Sequence, residues 1–591
     1  MPLNELTIPL GRKRAAHLLR RTCFGATVQE IDAFALLTPA EAVQQLFATD
    51  LPDPVLPIDP ATGLEWITTG NTGSEQNELR RYFLAWNLGQ MLGNEIEETQ
   101  KLSYIFRERL VLFLHTHFTT KQSVVGNSRS LYFQQALFRL FAFDGEEITI
   151  PSEDPLIPDT IVPRNFKQLS KKICVDNAML VFLDGRLNVK GSPNENYARE
   201  LLELYSIGRG LEGNVPEPEF VGDYFTYTEV DVQEGAKVLS GFTNDNSFNN
   251  IDPDTGIPRG IVRGGTIASR HEEGIKTFSS RLNNGVVTPD ADLLVGGNPT
   301  EESVLDEIDQ FVELIFEQPE TSRHICRELY RFFVYHQIDE TLQNDIIQEM
   351  ADVLEANDYK IQPVLEALFT SEHFYEAEVG ETDNNFGSII KSPLDLVVGF
   401  MRNFSISLPA YAEDLEAYYD FTNMLLGRIS NLGMEYYEPF EVAGYAAYHQ
   451  FPIFNRNWIT TNYLTNRYSF IQDSIPSMMP MEMGQVDILS FVRDNFPDAT
   501  ASDARSLIVA IAEYFLPTSE NLSYDVPDTG ELTVERMNYF LSAFLFSPQI
   551  DPDPETSWTF RWQNNVDEEV ITNQLANLFN AMLQSPEYQL M

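Results

Sequence analysis

Cysteine is nearly absent from this chain: three in 591 residues, at Cys23, Cys174 and Cys326. An odd number placed so far apart excludes a disulfide framework and any Cys-x-x-Cys metal or redox pair. Histidine is almost as scarce, with eight. Long apolar runs are missing as well. The best, Leu110–Leu114 and Leu507–Ile511, fall far short of the ~18 residues of a membrane span. Positive charge is the largest shortage: 40 Lys and Arg stand against 88 Asp and Glu, a net charge of −48. Phosphate would be repelled over most of such a surface, which argues against a nucleic-acid partner. There is no Gly-x-Ser-x-Gly elbow, no Walker A loop and no Gly-x-Gly-x-x-Gly behind a strand. The common hydrolase, NTPase and dinucleotide-binding signatures are therefore absent.

What is present is a globular composition, 43% apolar and 12% aromatic, rich enough to build a core. The start carries Arg12, Lys13, Arg14, Arg20 and Arg21, but Ala15–Leu19 is interrupted by His17 and supplies no secretory apolar segment. The expectation is a cytoplasmic chain with reduced cysteines, with export alongside a signal-bearing partner as the alternative. The basic cluster reads as one exposed face of an amphipathic helix, or as an anchor for an acidic partner or the chain's own acidic surface.

Apolar residues recur at three- and four-residue spacing in Leu102–Phe118, Asn196–Ile207, Val304–Phe316, Ser322–Tyr335 and Ile571–Leu583, the period of helices. Strand-like alternation is confined to Glu147–Ile150 and Gly260–Ile267. The fold expected is mainly α: one large multi-helix body over 1–591, with at most short β elements. Pro-, Gly-, Asp- and Asn-rich stretches read as insertions at 144–164, 244–259 and 283–300, and Leu51–Gly73 and Asp551–Ser557 as further loops. The acidic part 470–591 is a candidate subdomain.

Three helix starts are legible. Ser192-Pro193-Asn194-Glu195 has the pattern of a capping box, with Pro193 at the first helical position, and its helix is expected to run to Ile207 and stop at Gly208. Thr228-Glu229-Val230-Asp231 opens a second helix with a cap and an acidic first turn, closed by Gly241. Lys391-Ser392-Pro393 opens a third, with Ser392 as the cap.

Several motifs together resemble a known family. Ala16-His17-Leu18-Leu19-Arg20-Arg21 with Phe24-Gly25 comes first, then Arg109-Leu110 through Leu114-His115-Thr116-His117-Phe118. Leu183-Asp184-Gly185 and the hallmark Asn194-Glu195-Asn196-Tyr197-Ala198-Arg199-Glu200-Leu201-Leu202-Glu203-Leu204 follow. Tyr227-Thr228-Glu229, Gly241-Phe242, His271 through Gly274, Tyr330-Arg331-Phe332-Phe333, Lys391-Ser392-Pro393, Val442-Ala443-Gly444-Tyr445 and Ser585-Pro586-Glu587-Tyr588-Gln589 continue in order. In this the chain resembles the bacterial domain-of-unknown-function 1800 family over essentially its whole length. Departures are Leu114, where the family usually has Trp, and Glu272, where it usually has Asp. The resemblance implies a frequent genomic neighbour, a sulfatase-like protein of the domain-of-unknown-function 1501 family, and carries no established activity with it.

His115 and His117 are the only close histidine pair. On a helix, i and i+2 point to nearly opposite sides, so both reach one ion only where the helix ends. Glu200 and Glu203 share one face of the hallmark helix with Asn196. Carboxylates and imidazoles converging from different helices build bundle metal sites, and imidazole suits Zn or Fe. The candidate metal ligands are therefore His115, His117, Glu200 and Glu203. The candidate catalytic residues are Glu200, mid-helix and expected to point inward, and His271, on a loop after a Gly-rich turn and able to carry a proton. The structural alternative is an ion-pair ladder through Glu195, Arg199 and Glu203, with His115 a hydrogen-bonded core residue. His324 falls outside the pattern and receives no role. Two functions stay open: a metal-dependent enzyme or binder with a His/Glu site between helices, or a non-catalytic adaptor or assembly factor for the sulfatase-like partner.

Overall fold

The five periodic segments are helices in the computed structural model, at Glu98–His117, Asn196–Glu203, Glu301–Phe316, Pro319–Phe333 and Glu568–Leu583. The structure describes residues 3–48, 50–145, 147–150, 160–376, 386–476, 484–527, 530–547 and 551–591. Strands among these residues form four two-stranded antiparallel pairs. Two of them fall where alternation is seen in the sequence, Ile148–Ile150 on Thr160–Val162 and Phe242–Thr243 on Ile261–Val262. Helix therefore supplies nearly all of the regular structure. Of the 144–164 stretch, residues 146 and 151–159 lie outside the described residues.

Buried apolar side chains from Leu6 to Tyr588 belong to one continuous cluster. The Gly11–Cys23 helix ties its two ends together, packing on Glu98–His117 from the first part of the chain and on Ala504–Phe515 from the last. Its basic residues divide by depth. Arg12 pairs with Asp32 and Glu513, and Lys13 with Glu531, so the near-surface cations anchor on the chain's own acidic C-terminal part. Arg20 and Arg21 are buried and correct the expectation of an exposed basic face. Arg20 donates to the carbonyls of Tyr514 and Leu516, and Arg21 to the hydroxyl of Ser388. No helix among the described residues is long and apolar enough to cross a membrane.

Two of the three expected caps form. Thr228 and Asp231 make a capping box, and Ser392 with Asp395 makes another with Pro393 in the first turn. The third does not. Gly191, at φ +78°, closes a tight turn in which the Ser192 amide donates to Val189. Ser192 is thereby held away from the helix, and Glu195 stands at its start with helical angles and no capping bond. Asn194 does the work locally, its side-chain oxygen accepting from the Asn196 amide at 3.0 Å. The Asp551–Ser557 stretch is also shorter as a loop than expected, because Pro554 at the first turn starts a helix that runs to Asn564. The three cysteines are free and buried, and burial pushes the Cys23 and Cys174 thiols up to about 12.

Candidate functional site

The hallmark helix spans only eight residues, Asn196–Glu203, and its C-terminal carbonyls need partners wherever they are buried. The chain unwinds over 204–208 and satisfies them one by one. Leu204 and Tyr205 amides both reach the Glu200 carbonyl, the Ser206 hydroxyl reaches Leu201, and the Gly208 amide reaches Leu202. Two imidazoles complete the set. His324 binds the Leu204 carbonyl at 2.9 Å and His117 binds the Tyr205 carbonyl at 3.0 Å, each through Nε2. A ring donating Nε2–H to a carbonyl is neutral or positive, and burial selects the neutral form. The His117 pKa is lowered to about 4, by burial first and then by His324. That of His324 is lowered for the same leading reason.

His324, given no role from sequence, is thus the counterpart of His117. Its signal is Gly208: at φ +66°, a Cβ there would stand 2.5 Å from the His324 ring. A side chain at 208 would displace the imidazole that caps the helix.

His115 does not join them. It stacks on Tyr437 with ring centroids 3.9 Å apart, and neither nitrogen closes a hydrogen bond of good geometry. Burial lowers its pKa to about 4. Although the helix does end at His117, the two rings part, one toward the 436–437 loop and one toward the hallmark helix. That aromatic loop is packed: the Tyr437 hydroxyl contacts Gln135, and the Tyr436 hydroxyl donates to Asn87.

His271 sits in a third place. It is fully buried, with Nδ1 on the Ser240 carbonyl at 2.9 Å and Nε2 3.2 Å from Lys276 Nζ. Lys276 donates onward to Glu307, whose Oε2 lies 3.2 Å from His271 Nε2. Lys276 is held below its ordinary range by burial, against the pull of Glu307. Three ionisable groups, each 1% exposed or less, thus face one another in a closed cluster, joined through Glu307 Oε2 while Glu307 Oε1 closes no hydrogen bond.

Glu200 and Glu203 occupy the other side of the hallmark helix. Glu203 is fixed: it accepts from Arg209 at 2.6 Å and from the Tyr227 hydroxyl at 3.0 Å. Arg199 is engaged by Glu229 at 2.8 Å and Glu195 at 3.5 Å, so the ladder expected on the surface forms only in its first rung. Glu200 is half-buried, and no hydrogen bond holds its carboxyl. Its pKa is raised to about 7, by desolvation first and by the Glu203 charge second. The buried Tyr205 hydroxyl, which also closes no hydrogen bond, lies within electrostatic range of it. Two other carboxyls are raised to about 7 by burial, Asp144 and Asp176. Both accept amides at helix starts, Asp144 from Ile361 and Gln362, Asp176 from Met179. Glu200 has no such duty.

The proposed metal set therefore divides among separate neighbourhoods. Among the described residues no three His, Cys, Asp or Glu side chains could hold one metal ion. His115, His117, Glu200 and Glu203 do not fit a shared Zn or Fe, because His117 Nε2 and the Glu203 carboxylate are already committed to protein partners. Three motifs do converge elsewhere. The His-x-His helix end, the Tyr-Arg-Phe-Phe helix and the 443–449 segment, which ends in the short helix Ala446–His449, line a cavity of about 30 Å3 with His117, Glu328, Arg331 and His449 on its wall, room for a single water.

What these elements define is a mainly α-helical protein with several imidazoles and charged groups buried between its helices and one acid left unbonded on the hallmark helix. The family model described as "Protein of unknown function (DUF1800)" matches residues 17–590, and the chain belongs to that family. No curated protein and no solved structure matches it.

Proposed function

We propose that this chain is an acid–base enzyme, metal-independent at this site, in which the Glu200 carboxyl carries the proton. The observation that supports it is the contrast between two neighbouring carboxyls. Glu203 accepts from Arg209 and Tyr227, while Glu200 has no hydrogen bond and a pKa raised to about 7. A group that titrates near neutrality is suited to give and take protons at working pH. His271 has no part in this reading; its enclosure with Lys276 and Glu307 gives it a positional duty. The test is a screen of chromogenic glycosides, esters and amides from pH 5 to 9. The expected result is turnover governed by one group titrating near 7, abolished in Glu200→Gln at unchanged melting temperature. Turnover that survives Glu200→Gln, or no turnover of any substrate class, would overturn it.

A second reading, a non-catalytic adaptor for the sulfatase-like partner, is supported by a different observation. Phe220 and Val221 are exposed by 54% and 103%, and the Phe451 ring, which a Cβ on Gly213 would meet, is exposed by 52%. Large exposed apolar side chains on neighbouring segments are what an adaptor surface would use. Co-purification with that partner, lost in Val221→Glu/Phe451→Ser, is the expected outcome; equal recovery with wild type and variant would sink it.

A further inference from the structure

A cleft of about 630 Å3 opens between the 51–56 segment and the Ser128–Phe141 helix. Three arginines reach its wall, Arg107, Arg139 and Arg164, beside one exposed carboxylate, Asp53. In a chain of net charge −48 this is a local reversal of sign. Arg139 grips Glu108 with two prongs, Nε at 2.9 Å and Nη2 at 2.7 Å. Glu108, 1% exposed, is thereby taken. Arg107 approaches it only to 3.5 Å. Its other neighbours are neutral: the Pro52 carbonyl at 3.2 Å and the Tyr104 ring at 4.6 Å. Arg107 is itself 7% exposed, and its Nε closes no hydrogen bond. Two guanidinium groups thus share one buried carboxylate, and a buried cation without a full counter-charge is expensive. The rest of the wall is largely apolar, with Tyr132, Leu140 and Phe143.

The geometry points to a binding site for an organic monocarboxylate, its head on Arg107 and its apolar body along Tyr132, Leu140 and Phe143. Three features select that class. A planar guanidinium matches a carboxylate in a two-pronged bond. The buried Arg107–Arg139–Glu108 group lacks one negative charge, which a monoanion supplies and a dianionic phosphate exceeds. A concave, mostly apolar wall with a few placed polar groups is the usual form of a small-molecule site. The site is independent of Glu200 and stands whether or not that residue is catalytic.

The experiment uses the full chain and calorimetric titration with 4-phenylbutyrate, its neutral counterpart 4-phenylbutan-1-ol, and inorganic phosphate. The acid is expected to bind at least tenfold more tightly than the alcohol or phosphate. Arg107→Gln should lose at least tenfold of that affinity. Ala136→Phe, which fills the cleft from the same helix and leaves every charge in place, should lose it as well. This second variant carries the test if Arg107→Gln does not fold. Equal binding of acid and alcohol, phosphate binding as tightly as the acid, no binding at millimolar acid, or affinity retained in Ala136→Phe would each overturn the assignment.

Discussion

The His271–Lys276–Glu307 cluster and the Glu200–Glu203 pair are both assemblies of ionisable side chains supplied by motifs of the same family, and they are built in opposite ways. The first is sealed: each member is 1% exposed or less and answers another within the cluster. The second is half open, with one acid tied to Arg209 and Tyr227 and the other left unbonded. Complete burial with an opposite charge in contact is what a fold does to keep charge inside it. Partial burial with a missing partner leaves a group whose protonation is free to change. On the function proposed above the pair, not the cluster, is the candidate working site, while His117, His271 and His324 are engaged by backbone carbonyls.

The comparison breaks most visibly at Lys276. Lys276→Met leaves Glu307 buried without its cation and should cost about 3–5 kcal/mol in urea unfolding. Replacing Glu307 by Leu as well should recover much of that loss. A cost under about 1 kcal/mol would mean that the cluster is solvated and that the contrast with Glu200 does not hold. Next in size are the imidazole caps. His117→Phe or His324→Phe orphans one carbonyl at the end of the hallmark helix, worth about 1–3 kcal/mol, and should speed amide hydrogen exchange over residues 200–208.

The buried imidazoles of His115 and His117 and the half-open Glu200 should respond to pH with opposite signs. His115 and His117 have pKa values lowered to about 4, against about 6.5 in the unfolded chain. Their contribution to stability is fully present above the unfolded value and is lost as pH falls through about 4. Glu200 is raised to about 7, so its contribution is present below the ordinary carboxylate range and is lost as pH rises through 7. Glu200→Gln should therefore match wild type near pH 5 only after the variant's own offset, and gain on it by about 1–2 °C of melting temperature at pH 8, a modest figure for a partly screened charge in a long chain. A difference independent of pH would show that Glu200 titrates as an ordinary surface acid. The smallest effect belongs to Glu195, whose 3.5 Å approach to Arg199 is a surface ion pair; Glu195→Gln should change stability by no more than about 0.5 kcal/mol.

Helices were legible wherever one apolar stripe faces the core, as in Glu301–Phe316, because the period of the side chains is the period of the backbone. Caps were legible when the motif alone supplies them, as at Thr228 and Ser392. The Ser192 pattern misled because Gly191 folds the preceding turn back on itself, a choice that the four residues of a capping motif do not contain. The site was readable only in part. Glu200 stands out by its mid-helix position, but its unbonded state depends on Tyr227 and Arg209 having taken Glu203 instead. His324 was hidden because its role comes from a carbonyl 120 positions away.

The sequence by itself determined the helical class, cysteines too few and scattered for a disulfide framework, apolar runs too short for a membrane span, and the acidic character, since each follows from composition or from contacts within a few residues. Only the tertiary structure decided which charged groups are sealed and which are left open. Arg20 and Arg12 lie on one helix, yet one is buried on backbone carbonyls and the other pairs with acids nearer the surface. Burial and partnering set the energy of a charge, and both are supplied by residues hundreds of positions distant, which only the packed chain brings together.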